Sequence, residues 1–266
     1  MCDTCGCNIT PGNRHLIEAG GKLARPHGGT TAIDVLQGLL SENDLQARHN
    51  REHLDAHGVL ALNLMSSPGS GKTALLEATI EALGGKLRIA VIEGDLETEN
   101  DAERIRAKGV PAVQITTGTA CHLDAYMVHD ALHNIALDDI DVLFIENVGN
   151  LVCPASFDLG HHANITLLSV TEGDDKPAKY PVMFRASDLM LVTKSDLLPF
   201  LDDFSVQRAK ECMHQLANPA PVLTLSARKG EGLEQWLDWL THAVAAHRAQ
   251  VVTQPGQAHH HHHAHG

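Results

Sequence analysis

The sequence predicts an α/β fold, a mainly parallel sheet flanked by helices, and three observations carry that expectation. Short apolar runs alternate with stretches of helical periodicity from residue 59 to residue 246. The apolar run 59–65 leads directly into Ser66-Ser67-Pro68-Gly69-Ser70-Gly71-Lys72-Thr73 and then into the helical pattern 74–83. That is the strand, glycine turn and helix order of a phosphate-binding loop. Acidic residues close two later apolar runs, at Glu93-Gly94-Asp95 and at Glu146, and an open parallel sheet gathers its ligands at such strand ends.

Taken in order, residues 1–30 are polar and glycine-rich without sustained periodicity, so a flexible segment is expected there, apart from its cysteines. From Thr31 onward, Ile33, Leu36, Leu39, Leu40 and Leu45 recur at helical spacing; with Asn50, Arg51 and Leu54 they predict one or two amphipathic helices before the first strand. After the phosphate loop, strands are predicted at 87–93, 112–115, 142–145, 165–170, 189–192 and 222–225. Helices are predicted at 97–108, 122–137, 206–216 and 233–246. A single domain is thus expected over 31–248, followed by a disordered histidine-rich tail over 249–266.

The 266 residues are 43% hydrophobic and 20% charged, enough for one full core with extensions. A net charge of −13 leaves no basic surface for a phosphate backbone and argues against nucleic-acid binding. No run reaches the ~18 uninterrupted apolar residues of a membrane-spanning helix, and Met1-Cys2-Asp3-Thr4-Cys5 lacks the charged-then-apolar build of a signal peptide. A cytoplasmic protein is expected. In that compartment six cysteines serve as metal ligands or core thiols rather than disulfides.

The loop from Pro68 through Gly69, Ser70 and Gly71 can turn backbone N–H groups toward an anion at a helix N-terminus, while Lys72 reaches the β- and γ-phosphates and Thr73 ligates Mg²⁺. Ser66 replaces the first glycine of the G-x-x-x-x-G-K-[ST] pattern, and Pro68-Gly69 still supplies a tight turn. Asp95 and Glu146 are candidate Mg²⁺ ligands, directly or through water. Thr193-Lys194-Ser195-Asp196 resembles the Asn/Thr-Lys-x-Asp element of GTPases. Asp196 can accept hydrogen bonds from guanine N1 and N2, which adenine does not offer. Ser226 and Ala227 resemble the loop that packs beside the base.

Two cysteine sets suit metal. Cys2, Cys5 and Cys7 form C-x-x-C-x-C, and removal of Met1 would free an α-amine to complete an S₃N set suited to planar Ni(II), with Zn(II) or a redox dithiol as alternatives. Cys121, His122 and Cys153 converge if both of their preceding strands end at the nucleotide edge, and this would link metal to nucleotide. Cys212 reads as a core thiol. His49, His53 and His57, four residues apart, read as a solvated helix face; the histidines from His259 onward read as a metal buffer or an expression tag.

Assembled, these motifs with Thr117-Gly118-Thr119-Ala120-Cys121-His122-Leu123-Asp124, Glu146-Asn147-Val148-Gly149-Asn150-Leu151-Val152-Cys153-Pro154 and Ser169-Val170-Thr171-Glu172-Gly173-Asp174-Asp175-Lys176-Pro177 closely resemble the HypB family of hydrogenase nickel-incorporation GTPases over residues 31–247 and the first seven. The resemblance implies a P-loop GTPase of the signal-recognition-particle-related (SIMIBI) class that forms a GTP-dependent homodimer. It also implies delivery of Ni²⁺ to the [NiFe]-hydrogenase large subunit with a HypA-family partner. By the same resemblance Cys2, Cys5 and Cys7 correspond to a tight nickel site, and Cys121, His122 and Cys153 to a Ni²⁺ or Zn²⁺ site near the dimer interface. A urease-type accessory GTPase and a nickel store with incidental nucleotide binding are the alternatives.

Overall fold

The computed structural model of the protein describes residues 32–95, 100–118 and 120–253. Cys2, Cys5, Cys7 and the terminal histidines lie outside the described residues, as does the side chain of Asp95. Seven strands, β1 (Leu60–Ser66), β2 (Ile89–Asp95), β3 (Ala112–Thr116), β4 (Val142–Glu146), β5 (Ala163–Ser169), β6 (Leu189–Thr193) and β7 (Val222–Thr224), form one sheet in the order β3-β2-β4-β1-β5-β6-β7. Every pairing is parallel. The strand order reverses at β1, so the crevice expected to bind ligand opens beyond Ser66 and Glu146.

Helices cover both faces: α1 (Ala32–Ala56), α2 (Lys72–Leu83), α3 (Asn100–Arg106), α4 (Ala125–Leu132), α5 (Lys176–Lys179), α6 (Pro181–Arg185), α7 (Val206–Gln215) and α8 (Leu233–Thr253). Strands covered on both sides can be apolar throughout, which is why β1 reads as an almost unbroken hydrophobic run with all seven residues buried. Alternate residues still choose different cores. Leu60, Leu62 and Leu64 pack with Leu75, Phe144, Trp236 and Leu240 under α2 and α8. Ala61 joins Leu54, Leu123, Val128 and Ile145 under α1 and α4. Met65 joins Leu168, Phe184, Met190 and Met213 under α6 and α7. Trp236 Nε1 donates to Thr79 Oγ1 at 2.9 Å, which locks α8 to α2.

At the sheet edge opposite the crevice, Asp55, His162 and His247 tie the end of α1, the start of β5 and α8 together. Ala61 N donates to His162 Nδ1 at 2.8 Å, so His162 carries its proton on Nε2 and donates it to Asp55 Oδ1 at 3.0 Å. His247 Nε2 stands 3.6 Å from the same oxygen. With the His162 lone pair already engaged, the trio is a polar clamp and does not offer three donors to a metal.

Several boundaries differ from the sequence expectation. The N-terminal pattern, expected as one or two helices, agrees and is one continuous helix. The helix expected over 122–137 begins only at Ala125, because Asp124 caps it by accepting from Met127 N at 2.9 Å; it stops at Leu132, and a single 3-10 turn follows at Leu137–Asp139. Residues 249–253, assigned above to the tail, continue α8, since no glycine or proline interrupts the sequence before Pro255. The short α5 and α6 carry Pro177 and Pro181 in their first turns and were not legible as helices. No helix among the described residues is long and apolar enough to cross a membrane.

Candidate nucleotide and metal site

The phosphate loop joins the end of β1 to α2. Gly69 and Gly71 adopt φ of 75° and 94°, left-handed conformations that an L side chain would strain, and Gly71 is the N-cap of α2. Ser66, the departure from the glycine pattern, needs no such conformation: it ends β1, fully buried, and its Oγ accepts from Lys72 Nζ at 3.1 Å. The loop is held from outside. Ser67 and Ser70 donate to the Glu172 carboxylate, Ser70 at 2.6 Å. Thr193 Oγ1 donates to Ser70 O at 2.7 Å and Lys194 Nζ to Gly69 O at 2.6 Å.

Beside the loop lies a cavity of about 400 Å³ lined by Pro68, Lys72, Thr73, Glu93, Asp101 and Glu146. Thr73 Oγ1 donates to Glu146 Oε1 at 3.0 Å, and Lys72 Nζ stands 3.8 Å from the same oxygen. Glu93 pairs with Glu146 in register across β2 and β4, so both side chains project to one face. Burial pushes Glu93 up to about 11, helped by the Glu146 charge and by a hydrogen bond to it. Burial likewise raises Glu146, against the pull of Lys72. Burial therefore disfavours two full negative charges on this pair as long as no cation lies between them.

The oxygens Glu93 Oε2 and Glu146 Oε2 are buried and without a hydrogen-bond partner. Unpaired buried carboxylate oxygens beside the Thr73 hydroxyl fit a hard divalent cation such as Mg²⁺. Asp95, the acid chosen from sequence, ends β2 two residues beyond Glu93. Glu93, Asp101 and Glu172 were missed. The two-residue spacing of Glu93 and Asp95 was an available signal for Glu93; the Ser169-to-Asp174 motif was one for Glu172.

A second cavity, about 260 Å³, lies on the other side of the loop, lined by Ser70, Gly71, Lys194, Asp196, Ser226 and Ala227 among others. Lys194 turns the chain with φ of 58°. Ser226 Oγ donates to Asp196 Oδ1 at 2.6 Å and accepts from Lys229 N at 3.1 Å, which fixes the carboxylate facing the base-sized space. Every described residue expected to contact nucleotide thus lines one of two cavities that flank the same loop.

Cys121 and His122 lie in the loop before α4, not within the helix, and meet Cys153 at the start of a 3-10 turn (Pro154–Ser156). Cys121 Sγ is 3.1 Å from Cys153 Sγ and 3.8 Å from His122 Nδ1. His122 stacks on Phe157, centroids 4.0 Å apart, and its buried Nε2 has no hydrogen-bond partner. Burial lowers it to about 4, so at neutral pH the ring is uncharged and able to ligate. Two sulfurs and an imidazole within 4.8 Å of one another suit a borderline or soft ion.

The segment 146–153 runs between the two centres. It starts at Glu146, passes Gly149 against Pro68, and ends at Cys153. Asn147 Oδ1 accepts from Leu123 N at 3.2 Å, and Asn150 Nδ2 donates to Cys121 O at 3.3 Å. Both hydrogen bonds anchor the Cys121 loop to the segment that touches the phosphate cavity.

An all-parallel sheet with a phosphate-binding loop at its switch point defines a P-loop nucleotide-binding protein, here with a cysteine and histidine cluster beside the phosphate cavity. Residues 60–224 match the family described as the CobW/HypB/UreG nucleotide-binding domain. Hydrogenase maturation factor HypB of Azotobacter vinelandii is 56% identical over 210 residues, 78% of this chain and 68% of that protein. The Escherichia coli K12 protein of the same name is 52% identical over 208 residues, 78% of this chain and 71% of its own. The crystal structure of HypB from Helicobacter pylori in complex with nickel superposes with a TM-score of 0.74 at 44% identity, covering 77% of this chain and 96% of that one. The chain belongs to the HypB family of hydrogenase maturation factors.

Proposed function

We propose that this chain is a slow, regulatory GTPase and nickel metallochaperone of the cytoplasm. It binds Ni²⁺, dimerises with GTP bound, and passes the metal, with a HypA-family partner, to the precursor of a [NiFe]-hydrogenase large subunit. The observation that carries the reading is the segment 146–153, which holds a phosphate-site acid at one end and a metal-site thiol at the other. The names of the relatives and the nickel complex of the Helicobacter pylori protein support the cargo.

In this reading the loop from Pro68 to Thr73 binds the phosphates, and Lys194, Asp196, Ser226 and Ala227 bind guanine. Thr73, Glu146, Glu93 and Asp95 are the residues that would hold Mg²⁺, whose chemistry is to neutralise charge developing on the phosphates. Lys72 adds a fixed positive charge there. Cys121, His122 and Cys153 take Ni²⁺ or Zn²⁺, and Cys2, Cys5 and Cys7 with the freed α-amine take Ni²⁺ tightly. The test is hydrogenase activity at limiting nickel in a strain lacking its own family member. Activity is restored by this chain and not by Lys72→Ala or by Cys121→Ala/Cys153→Ala. Rescue by Lys72→Ala would instead favour a nickel store. A urease role has specific support in the Helicobacter hepaticus and Helicobacter pylori relatives, 46% and 45% identical, both named hydrogenase/urease maturation factor HypB; urease activity measured in the same way addresses it.

Because Ser226 holds Asp196 in place, GTP should bind at least about tenfold more tightly than ATP, a gap of about 1.4 kcal/mol. Asp196→Asn should erode that preference, since an amide N–H would then face guanine N–H groups. Equal affinities of the unaltered protein for the two nucleotides would sink guanine recognition.

The shared segment should also couple the sites. In a variant lacking Cys2, Cys5 and Cys7, Ni²⁺ affinity at Cys121, His122 and Cys153 is expected to differ between GDP and a non-hydrolysable GTP analogue by about 1–3 kcal/mol, with the metal changing nucleotide affinity by the same factor. Metal titrations that superimpose in the two nucleotide states would leave this site without a link to the GTP cycle.

A further inference from the structure

The cysteine and histidine cluster is braced by a helix that supplies none of its ligands. No described residue of α1 lines the phosphate cavity or the base cavity. Yet α1 carries two buried asparagines, Asn43 and Asn50, whose side chains reach the backbone on both sides of the His122 ring. On one side is the start of α4, three residues after His122. Asn43 Oδ1 accepts from Ala125 N at 2.9 Å, and Asn50 Nδ2 donates to Ala125 O at 2.7 Å. On the other side is the stretch that follows Phe157, the residue on which His122 stacks. Asn43 Nδ2 donates to Asp158 O at 2.8 Å, and Asn50 Nδ2 to Leu159 O at 3.1 Å.

Each amide therefore ties the two segments to one another through α1. Asn50 has no capacity left over: its Nδ2 donates to both carbonyls, and its Oδ1 accepts from Gln46 Nε2 and from His129 Nδ1, each at 3.1 Å. A helix that needed only to pack on α4 would present apolar side chains, as α1 does one turn later with Leu54. Burying an amide costs free energy unless its hydrogen bonds are made, and a fully bonded buried network fixes one arrangement of the groups it joins. Here the fixed quantity is the spacing of Ala125 from Asp158 and Leu159, and with it the slot in which the His122 ring lies against Phe157. The sulfurs are held separately, since Asn150 Nδ2 donates to Cys121 O from the segment that leads to Cys153.

We propose that Asn43 and Asn50 are positioning residues for the metal site. Acting through the backbone of Ala125, Asp158 and Leu159, they set the orientation of the His122 ring toward the sulfurs of Cys121 and Cys153. The inference rests on the reading of those three residues as a metal site. Groups that orient a ligand from outside the coordination sphere change metal affinity by roughly 10- to 100-fold when removed.

Titration of Co²⁺ into the full-length chain lacking Cys2, Cys5 and Cys7 tests the proposal, because sulfur-to-cobalt absorption arises only from cysteine-bound metal and is blind to the terminal histidines. This parent should show the absorption, and Cys121→Ala/Cys153→Ala made in it should not. A parent without the signal overturns the metal reading, and the positioning role with it. Against a parent that has it, Asn43→Ala and Asn50→Ala should each bind Co²⁺ at least about tenfold more weakly and shift its d–d bands, while sulfur-to-cobalt absorption per bound ion persists. Thr79→Val, which removes the hydrogen bond between α2 and α8 on the other face of the sheet, should lower the melting temperature and leave affinity and bands unchanged. Parental affinity and bands in Asn43→Ala overturn the proposal, and so does an equal loss in Thr79→Val, which would reflect general destabilisation. Should Asn50→Ala fail to fold, Asn43→Ala decides alone, since Asn50 still joins the two segments in that variant.

Discussion

Lys72→Ala is expected to lower GTP hydrolysis by at least about 10²-fold, a barrier increase of roughly 3 kcal/mol, because it removes a preorganised charge from where phosphate charge develops. The residue sits almost fully buried between Ser66 Oγ and the Glu146 carboxylate. Its loss also leaves Glu146 without its nearest cation, which drives that acid further toward its protonated form and weakens it as a cation ligand. Phosphate release and nucleotide titration read the effect, with circular dichroism as a check on the fold. Hydrolysis at the unaltered rate would remove Lys72 from the reacting site.

Gly149→Ala should weaken nucleotide binding by about tenfold or more although residue 149 is expected to make no contact with the base or ribose. An added Cβ would lie 2.8 Å from Pro68 Cα and 2.9 Å from Pro68 N, both backbone atoms that cannot rotate aside. Overpacking of this kind costs about 1–3 kcal/mol, and here the strain falls on the turn that presents the phosphate-binding amides. The melting temperature should fall by only a few degrees for a chain of this size. Wild-type affinity for a GTP analogue in this variant would show that the 146–153 segment moves independently of the phosphate loop.

The parts of the site that were legible in the sequence are those whose chemistry is local. The loop from Ser66 to Thr73 carries its glycines, lysine and hydroxyl in one run, and Asp196 and Ser226 each sit in short recognisable turns. The strands were legible because two-sided burial makes them apolar without interruption. Glu93 was passed over for Asp95 because both close the same strand, and only the register with Glu146 shows that Glu93 enters the phosphate cavity. The helix over 122–137 was overextended because Cys121 and His122 look like an apolar start, while the cap at Asp124 was read through. Nothing local announces that Phe157 will stack on His122, that Asn147 will bridge to Leu123, or that His162 will meet His247. Those contacts join residues far apart in the chain, and they exist only once the sheet has assembled.

The strand order also constrains how the molecule is made. β1 and β2 are never neighbours; β4 lies between them and pairs with both. A nascent chain that has not yet delivered Val142 to Glu146 therefore has nothing to seat between its first two strands, and parallel pairing across such a separation is slow to form. Until then the apolar edges of β1 and β2 stay open to wrong partners, the hazard of incompletely folded parallel sheets. The same strand supplies Glu146, so the bridging of β1 to β2 and the arrival of the acid at the phosphate loop are one event during synthesis. A chain that stops short of β4 carries the residues of the phosphate loop, but it lacks the acid that Thr73 and Lys72 contact.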